Sequence, residues 1–222
     1  MSIHSNYGII CSLMIAATAT ARRTASREKR RHQLIDATMK CIARKGMGST
    51  TLGDVAREAG LSQGIVNLHF ESKDNLLKET LASLANEYRE QFDKTLHRSG
   101  PRPADKLLAL LELDFRPSIC DRRKLAVWFA FWGEVKSRPT YRRMCDESDR
   151  YYDSVIEGLC AELIAEGKYK NIDAMTAADA LSSMTNGLWQ ACLISPQTWD
   201  RRKATNAVMS YLRSVFPRHY KQ

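Results

Sequence analysis

The chain has 222 residues, 44% of them hydrophobic, with 34 Lys and Arg against 25 Asp and Glu for a net charge of +9. That apolar share is ordinary for a packed core and excludes disorder as the state of the whole chain, while the length allows one large domain or two modest ones. The excess charge is local: residues 22–45 hold nine basic and two acidic residues, +7 of the total, a block that suits a polyanionic backbone better than a generally basic surface.

Residues 9–21 form an apolar run ending in Ala-Thr-Ala that imitates a secretory signal. No Lys or Arg precedes it, the positive charge follows it, and it is too short to span a bilayer as a helix. Residues 1–21 are therefore expected to be an extension ahead of the folded chain, with translation starting at Met14 or later. Six cysteines (Cys11, Cys41, Cys120, Cys145, Cys160 and Cys192) show no C-x-x-C and no His at metal-ligand spacing. They are read as reduced thiols of a cytoplasmic protein with neither metal nor cofactor.

From Ser26 onward helical spacing predominates and sustained apolar alternation is lacking, so the fold is predicted to be all-α. The first predicted helix, Ser26 to Lys45, turns Leu34, Ile35, Thr38, Met39 and Ile42 to one side and its basic residues to the other, and Gly46 and Gly48 end it. Thr51 is placed to cap a second helix, with Asp54 completing a weak capping box; Leu52, Val55, Ala56 and Ala59 form its inner face and Gly60 stops it. Ser62 is expected to cap a short third helix reaching Phe70, and Ser72 a long fourth one to about His97 with Leu76, Leu77, Leu81, Leu84, Tyr88 and Phe92 on one stripe. After the break at Ser99-Gly100-Pro101-Arg102-Pro103, helices are predicted at Ala104–Phe115, Arg122–Ser137, Thr140–Glu166, Asp173–Ile194 and Thr198–Phe216.

The stretch TLGDVAREAGLSQGIVNLHF, Thr51 to Phe70, meets the demands of a helix-turn-helix. Ala56 lets the helices approach, Gly60 takes the tight turn, and Leu61, Ile65 and Val66 supply inner contacts. Ser62, Gln63, Gly64, Asn67 and His69 stay small or polar on a face that fits a major groove. Extended through FESKDNLL, this stretch resembles the TetR family of one-component repressors. The resemblance implies an amino-terminal DNA-binding domain (residues 22–75), a larger helical ligand-binding and dimerisation domain (76–222), and a homodimer joined through the last two helices. Carried onto this chain, it marks Thr51, Ser62, Gln63, Gly64, Asn67, His69 and Lys73 as DNA contacts, with Arg30 and Arg31 of the basic first helix beside them. The chain departs from the family pattern at Leu68-His69-Phe70, where His-Tyr-Phe or Tyr-His-Phe is usual, so the phosphate contact of the Tyr would fall to His69.

RRHQLIDAT (Arg30–Thr38), AVWFAFWGEVKSRPTYRR (Ala126–Arg143) and GLWQACLI (Gly187–Ile194) are similar to the BetI-type repressors, which control glycine betaine synthesis from choline. Choline, or a related quaternary ammonium compound, is the effector this implies. Such an ion has no N–H to donate, so its site is normally built from aromatic faces and a carboxylate. Trp128, Phe129, Trp132, Tyr141, Tyr152 and Trp189 can supply faces, Glu134 and Asp149 charge; a W-F-x-F-W stripe is also what plain helical core looks like. Another cationic or hydrophobic ligand is the alternative. Leu181, Met184, Leu188, Val208, Leu212 and Val215 offer apolar surface for a twofold contact, which predicts an inverted-repeat operator in double-stranded DNA. No phosphate loop or catalytic triad is present, against an enzyme. Binding of the basic block to an anionic membrane surface would leave the capped reading helix unexplained.

Overall fold

The computed structural model describes residues 26–221, so the apolar run at 9–21 and the basic residues Arg22 and Arg23 lie outside the described residues. Within them, nine helices and no strand are found: α1 (26–45), α2 (Leu52–Ala59), α3 (Gln63–Phe70), α4 (Lys73–Arg98), α5 (Pro103–Leu113), α6 (Arg122–Glu134), α7 (Pro139–Gly167), α8 (Ala174–Ile194) and α9 (Arg201–Val215). The all-α expectation holds.

The amino-terminal helices are set by local chemistry. Thr51 accepts from the Asp54 N–H while Asp54 accepts from the Thr51 N–H, a complete capping box. Gly60, at φ 65°, ends α2 in the left-handed region that only glycine enters without cost, and its N–H returns to the carbonyls of Ala56 and Arg57. Ser62 occupies the cap position of α3, but its hydroxyl makes no capping bond, in contrast to the expectation. Ser72 caps α4 as expected, accepting from Asn75. Leu34, Ile35, Ala37 and Cys41 of α1 bury against Val55, Ala56, Val66, Phe70 and Leu76. Gln33 fastens α1 to the end of α2 by donating to the Ala59 carbonyl at 2.7 Å.

Farther along, several ends shift by one to three residues. Proline stands in the first turns of α5 and α7, where its missing N–H costs no helical bond, so α5 starts at Pro103 and α7 at Pro139. Asp173 and Asp200 cap α8 and α9 through Thr176 and Lys203, which puts the start of α9 at Arg201 rather than Thr198.

Three apolar clusters follow one another along α4. Leu76 belongs to the first, with α1 to α3. Leu77, Leu81 and Leu84 join Ile42 and Met47 to Val127 and Phe131 of α6 and to Tyr141 and Cys145 of α7. Phe92 enters the largest, built from α5, α7, α8 and α9 and closed by Phe216 and Tyr220. Leu181, Val208 and Leu212 lie in that core and are buried within the chain itself, so they are not available for a second copy as the sequence suggested. The apolar surface left on the last two helices includes exposed Met175 and Ile194 and half-buried Met184, Leu188, Met209 and Val215.

Candidate reading helix and ligand cavity

On α3, Val66 and Phe70 point into the core and Ser62, Gln63, Gly64, Asn67 and Leu68 are exposed, giving one continuous outward face. Leu68 is the most exposed large apolar residue described, at 71%; in the sequence it stood out only as part of the Leu68-His69-Phe70 departure, not as a contact. The other expected contacts are engaged within the chain. Thr51 is occupied by the capping box, and the Lys73 ammonium donates to the Gly48 carbonyl at 3.0 Å. Arg30 is exposed and donates to Gln33 at 2.9 Å. Arg31 ties three elements together: it donates to the His69 carbonyl at 3.2 Å, pairs with Glu79 at 2.9 Å, and stands 5.0 Å from the centre of the Phe70 ring. His69 is half-buried, its Nδ1 shut away with no hydrogen-bond partner among the described residues. Burial, then Arg27 and Arg31, hold its pKa below the ordinary imidazole value. A neutral ring with one nitrogen sealed can offer a phosphate only Nε2.

The second feature is a cleft of about 200 Å³ between α4, α5, α6, α7 and α8. Its aromatic lining is Tyr88 and Phe92 of α4, Trp128 and Trp132 of α6, Tyr152 of α7 and Trp189 of α8. The indoles of Trp128 and Trp132, one turn apart, lie 6.0 Å from each other at 34°, and Tyr88 meets Tyr152 edge-on at 4.8 Å. Carboxylates of Asp114, Asp149 and Asp153 share the same cleft, and among the described residues no Lys or Arg lines it. Asp114 is 8% exposed, with Oδ1 accepting from the Tyr88 hydroxyl at 2.7 Å and its backbone carbonyl accepting from the Trp189 indole at 2.8 Å. Burial raises its pKa to about 7 against the pull of the Tyr88 hydrogen bond. Asp149, at the open rim, is raised to about 6 by burial of its carboxyl and by Asp153 and Asp146. Carboxyls gathered without a counter-charge among aromatic faces make a place for a cation.

Of the sequence candidates, Trp128, Trp132, Asp149, Tyr152 and Trp189 come together here; Tyr88, Phe92, Asp114 and Asp153 were missed. Three candidates lie elsewhere. Phe129 packs edge-on behind Trp132 at 5.1 Å and joins the core. Glu134, two residues beyond Trp132 and so on the other side of the helix, pairs with Arg138 at 3.4 Å. Tyr141 is buried against Phe131 and donates to Asp74 at 3.3 Å, beside Arg138 on the same carboxylate. Glu134 and Tyr141 thus belong to the seam between α6, α7 and the start of α4 rather than to the cleft.

A capped helix-turn-helix joined by one long helix to a helical bundle with an internal cleft defines a one-component DNA-binding transcriptional regulator. The chain belongs to the TetR family, and within it to the BetI-type transcriptional repressors: residues 34–80 match the tetR family of bacterial regulatory proteins and residues 103–217 the carboxy-terminal domain of the BetI-type repressors. It is 31% identical over 190 residues to the HTH-type transcriptional regulator BetI of Paraburkholderia phymatum, covering 86% of this chain and 94% of the relative. The protein of that name from Paraburkholderia xenovorans is 30% identical, over 84% and 93%. A transcriptional regulator from Pseudomonas aeruginosa has the same fold, with TM-score 0.75 and 27% identity over 87% of this chain and 95% of the other. A regulator from Saccharomonospora viridis, solved in complex with choline, matches at TM-score 0.75 and 22% identity over 84% and 96%. The family consists of regulators, not enzymes. Among the described residues, no helix is long and apolar enough to cross a membrane and no group of side chains could hold a metal ion.

Proposed function

We propose that this chain is a homodimeric repressor acting in the cytoplasm, which holds an inverted-repeat operator through α3 and is switched by choline or a closely related quaternary ammonium ion, so governing genes that convert choline to glycine betaine. The single observation that carries the ligand is the cleft itself: six aromatic side chains and three carboxylates, with no basic residue, around a space sized for a small molecule. The choline-bound regulator of the same fold and the BetI relatives support the same reading.

The arrangement also offers a route from ligand to DNA. Trp128 and Trp132 of α6 line the cleft, while Val127 and Phe131 of the same helix pack against α1 and α4. At the far side of that seam Asp74, in the first turn of α4, holds both Arg138 and Tyr141. A ligand that favours one position of α6 therefore biases the reading helices; equal affinity for both positions would shift nothing.

Footprinting on the DNA upstream of its own gene, with and without choline, tests the whole reading. Protection of two symmetric half-sites that changes with choline is expected. Calorimetry with choline and with its uncharged carbon isostere tests the cleft: equal affinities, or no binding of choline at millimolar concentration, would leave a repressor with a different effector.

A further inference from the structure

We propose that Leu68 is a specificity residue of the operator contact, reading the 5-methyl group of one thymine in each half-site. The inference rests on α3 being the reading helix, as proposed above.

Leu68 is 71% exposed on the outward face of α3, beside Asn67 and one turn after Gly64. A single exposed leucine on a protein surface is unremarkable. Here it projects from the last turn of a face whose other members, Ser62, Gln63, Gly64 and Asn67, are polar or bare. Its branched tip can neither donate nor accept, so it gains nothing from phosphate, sugar hydroxyl or base heteroatoms. The apolar feature that a major groove presents is the thymine methyl. A side chain buried against it contributes about what one buried methyl group does.

Gly64 gives the second observation. A Cβ added there would meet nothing closer than the Ser62 hydroxyl at 3.8 Å, an ordinary contact, and the backbone is not in a glycine-only conformation. Nothing inside the chain requires glycine at this position. Its bareness, on the same stripe as Leu68, lowers the helix toward whatever lies outside and lets a side chain as short as leucine reach the groove floor. Half-buried His69 lies off this stripe and does not compete for the space.

The test is a methyl-deletion scan. A preferred duplex is first selected from a random pool with the full-length protein. Each thymine of one half-site is then replaced singly by deoxyuridine, which removes only the methyl group, and affinities are measured by fluorescence anisotropy at fixed salt for wild type, Leu68→Ala and Leu68→Met. Wild type is expected to lose about fourfold at one thymine. Leu68→Ala should bind the thymine and uracil duplexes alike, and Leu68→Met, which keeps apolar reach, should retain most of the discrimination. Because Leu68 supports no core contact, all three proteins should show the same helical circular dichroism and melting temperature. A methyl penalty that is the same in wild type and Leu68→Ala at every thymine, or no penalty anywhere, overturns the assignment. Loss of sequence preference is examined apart with Gln63→Ala and Asn67→Ala: if these leave selectivity intact, α3 is not the reader, and that failure is distinct from a silent Leu68.

Discussion

Replacing Asp114 by Asn removes the deepest carboxylate of the cleft while keeping an oxygen to accept the Tyr88 hydroxyl. Its pKa of about 7 in the ligand-free protein is set chiefly by burial. A permanent cation about 6 Å away, at an effective dielectric constant of about 20, interacts by roughly 3 kcal/mol, enough to bring such a carboxyl back to about 5. Linkage then requires choline to bind about fiftyfold more tightly at pH 8 than at pH 5. Asp114→Asn should weaken choline about a hundredfold at pH 8 and keep only the shallower rise near pH 6 that belongs to solvent-screened Asp149. The uncharged isostere should show no such rise with pH. Stability gives an independent reading with the opposite slope. A carboxyl whose pKa is raised by folding from 3.8 to about 7 contributes stability that is complete below about pH 4 and lost as the pH rises through 7. Without ligand at pH 8, Asp114→Asn should therefore melt higher than wild type. Titration calorimetry from pH 5 to 8 checks the first set and thermal unfolding the second. A flat choline affinity across that range, or an unchanged slope in Asp114→Asn, would refute the cationic cleft.

Gly64→Ala should leave the fold intact and raise helix stability by about 0.5 kcal/mol, yet weaken specific DNA binding by holding the helix away from the groove, as read by anisotropy. Thr51→Ala deletes one arm of the capping box of α2 and should cost about 1 kcal/mol in urea unfolding, with unchanged choline affinity. Tyr141→Phe removes the hydroxyl that reaches Asp74 but no packing; choline binding should stay within twofold of wild type while the effect of choline on DNA affinity shrinks. Light scattering at micromolar concentration should give twice the chain mass, and Ile194→Glu, at an exposed apolar position of α8, should lower it. A wild-type monomer would remove the basis for a symmetric operator.

The helix-turn-helix was legible in the sequence because its signals are local. Thr51 with Asp54, Gly60, and Ser72 each act within three or four residues, and each takes up the expected role. Ser62 is the exception: its position as cap was legible, but not that its hydroxyl would go unused. Half of the cleft was hidden for a different reason. Tyr88 and Phe92 read as one more turn of the apolar stripe of α4, and Asp114 fell within the predicted helix Ala104–Phe115 with nothing in its neighbours to set it apart. Only the packing of α4 against α5, α7 and α8 turns them to a common space. The misplaced candidates fail by angle and length. Glu134 is two residues from Trp132, and Tyr141 stands eleven residues before Tyr152, about 16 Å along one helix. Leu181, Val208 and Leu212 show the matching limit for association, since apolar spacing does not say whether a stripe is covered by its own chain or by another.

The 26 residues of α4 form one unbroken rod through all three apolar clusters, roughly 39 Å long. A rod fixed at one end is a lever. A tilt of about 5° imposed beside Phe92, where the helix borders the cleft, carries its amino-terminal end, about 28 Å away, through about 2.5 Å. In a twofold assembly the two displacements add, so the reading helices would gain or lose about 5 Å against half-sites about 34 Å apart. No contact on the reading surface need break for the fit to the groove to be lost; a few ångströms of mechanical advantage do the work of a much larger rearrangement.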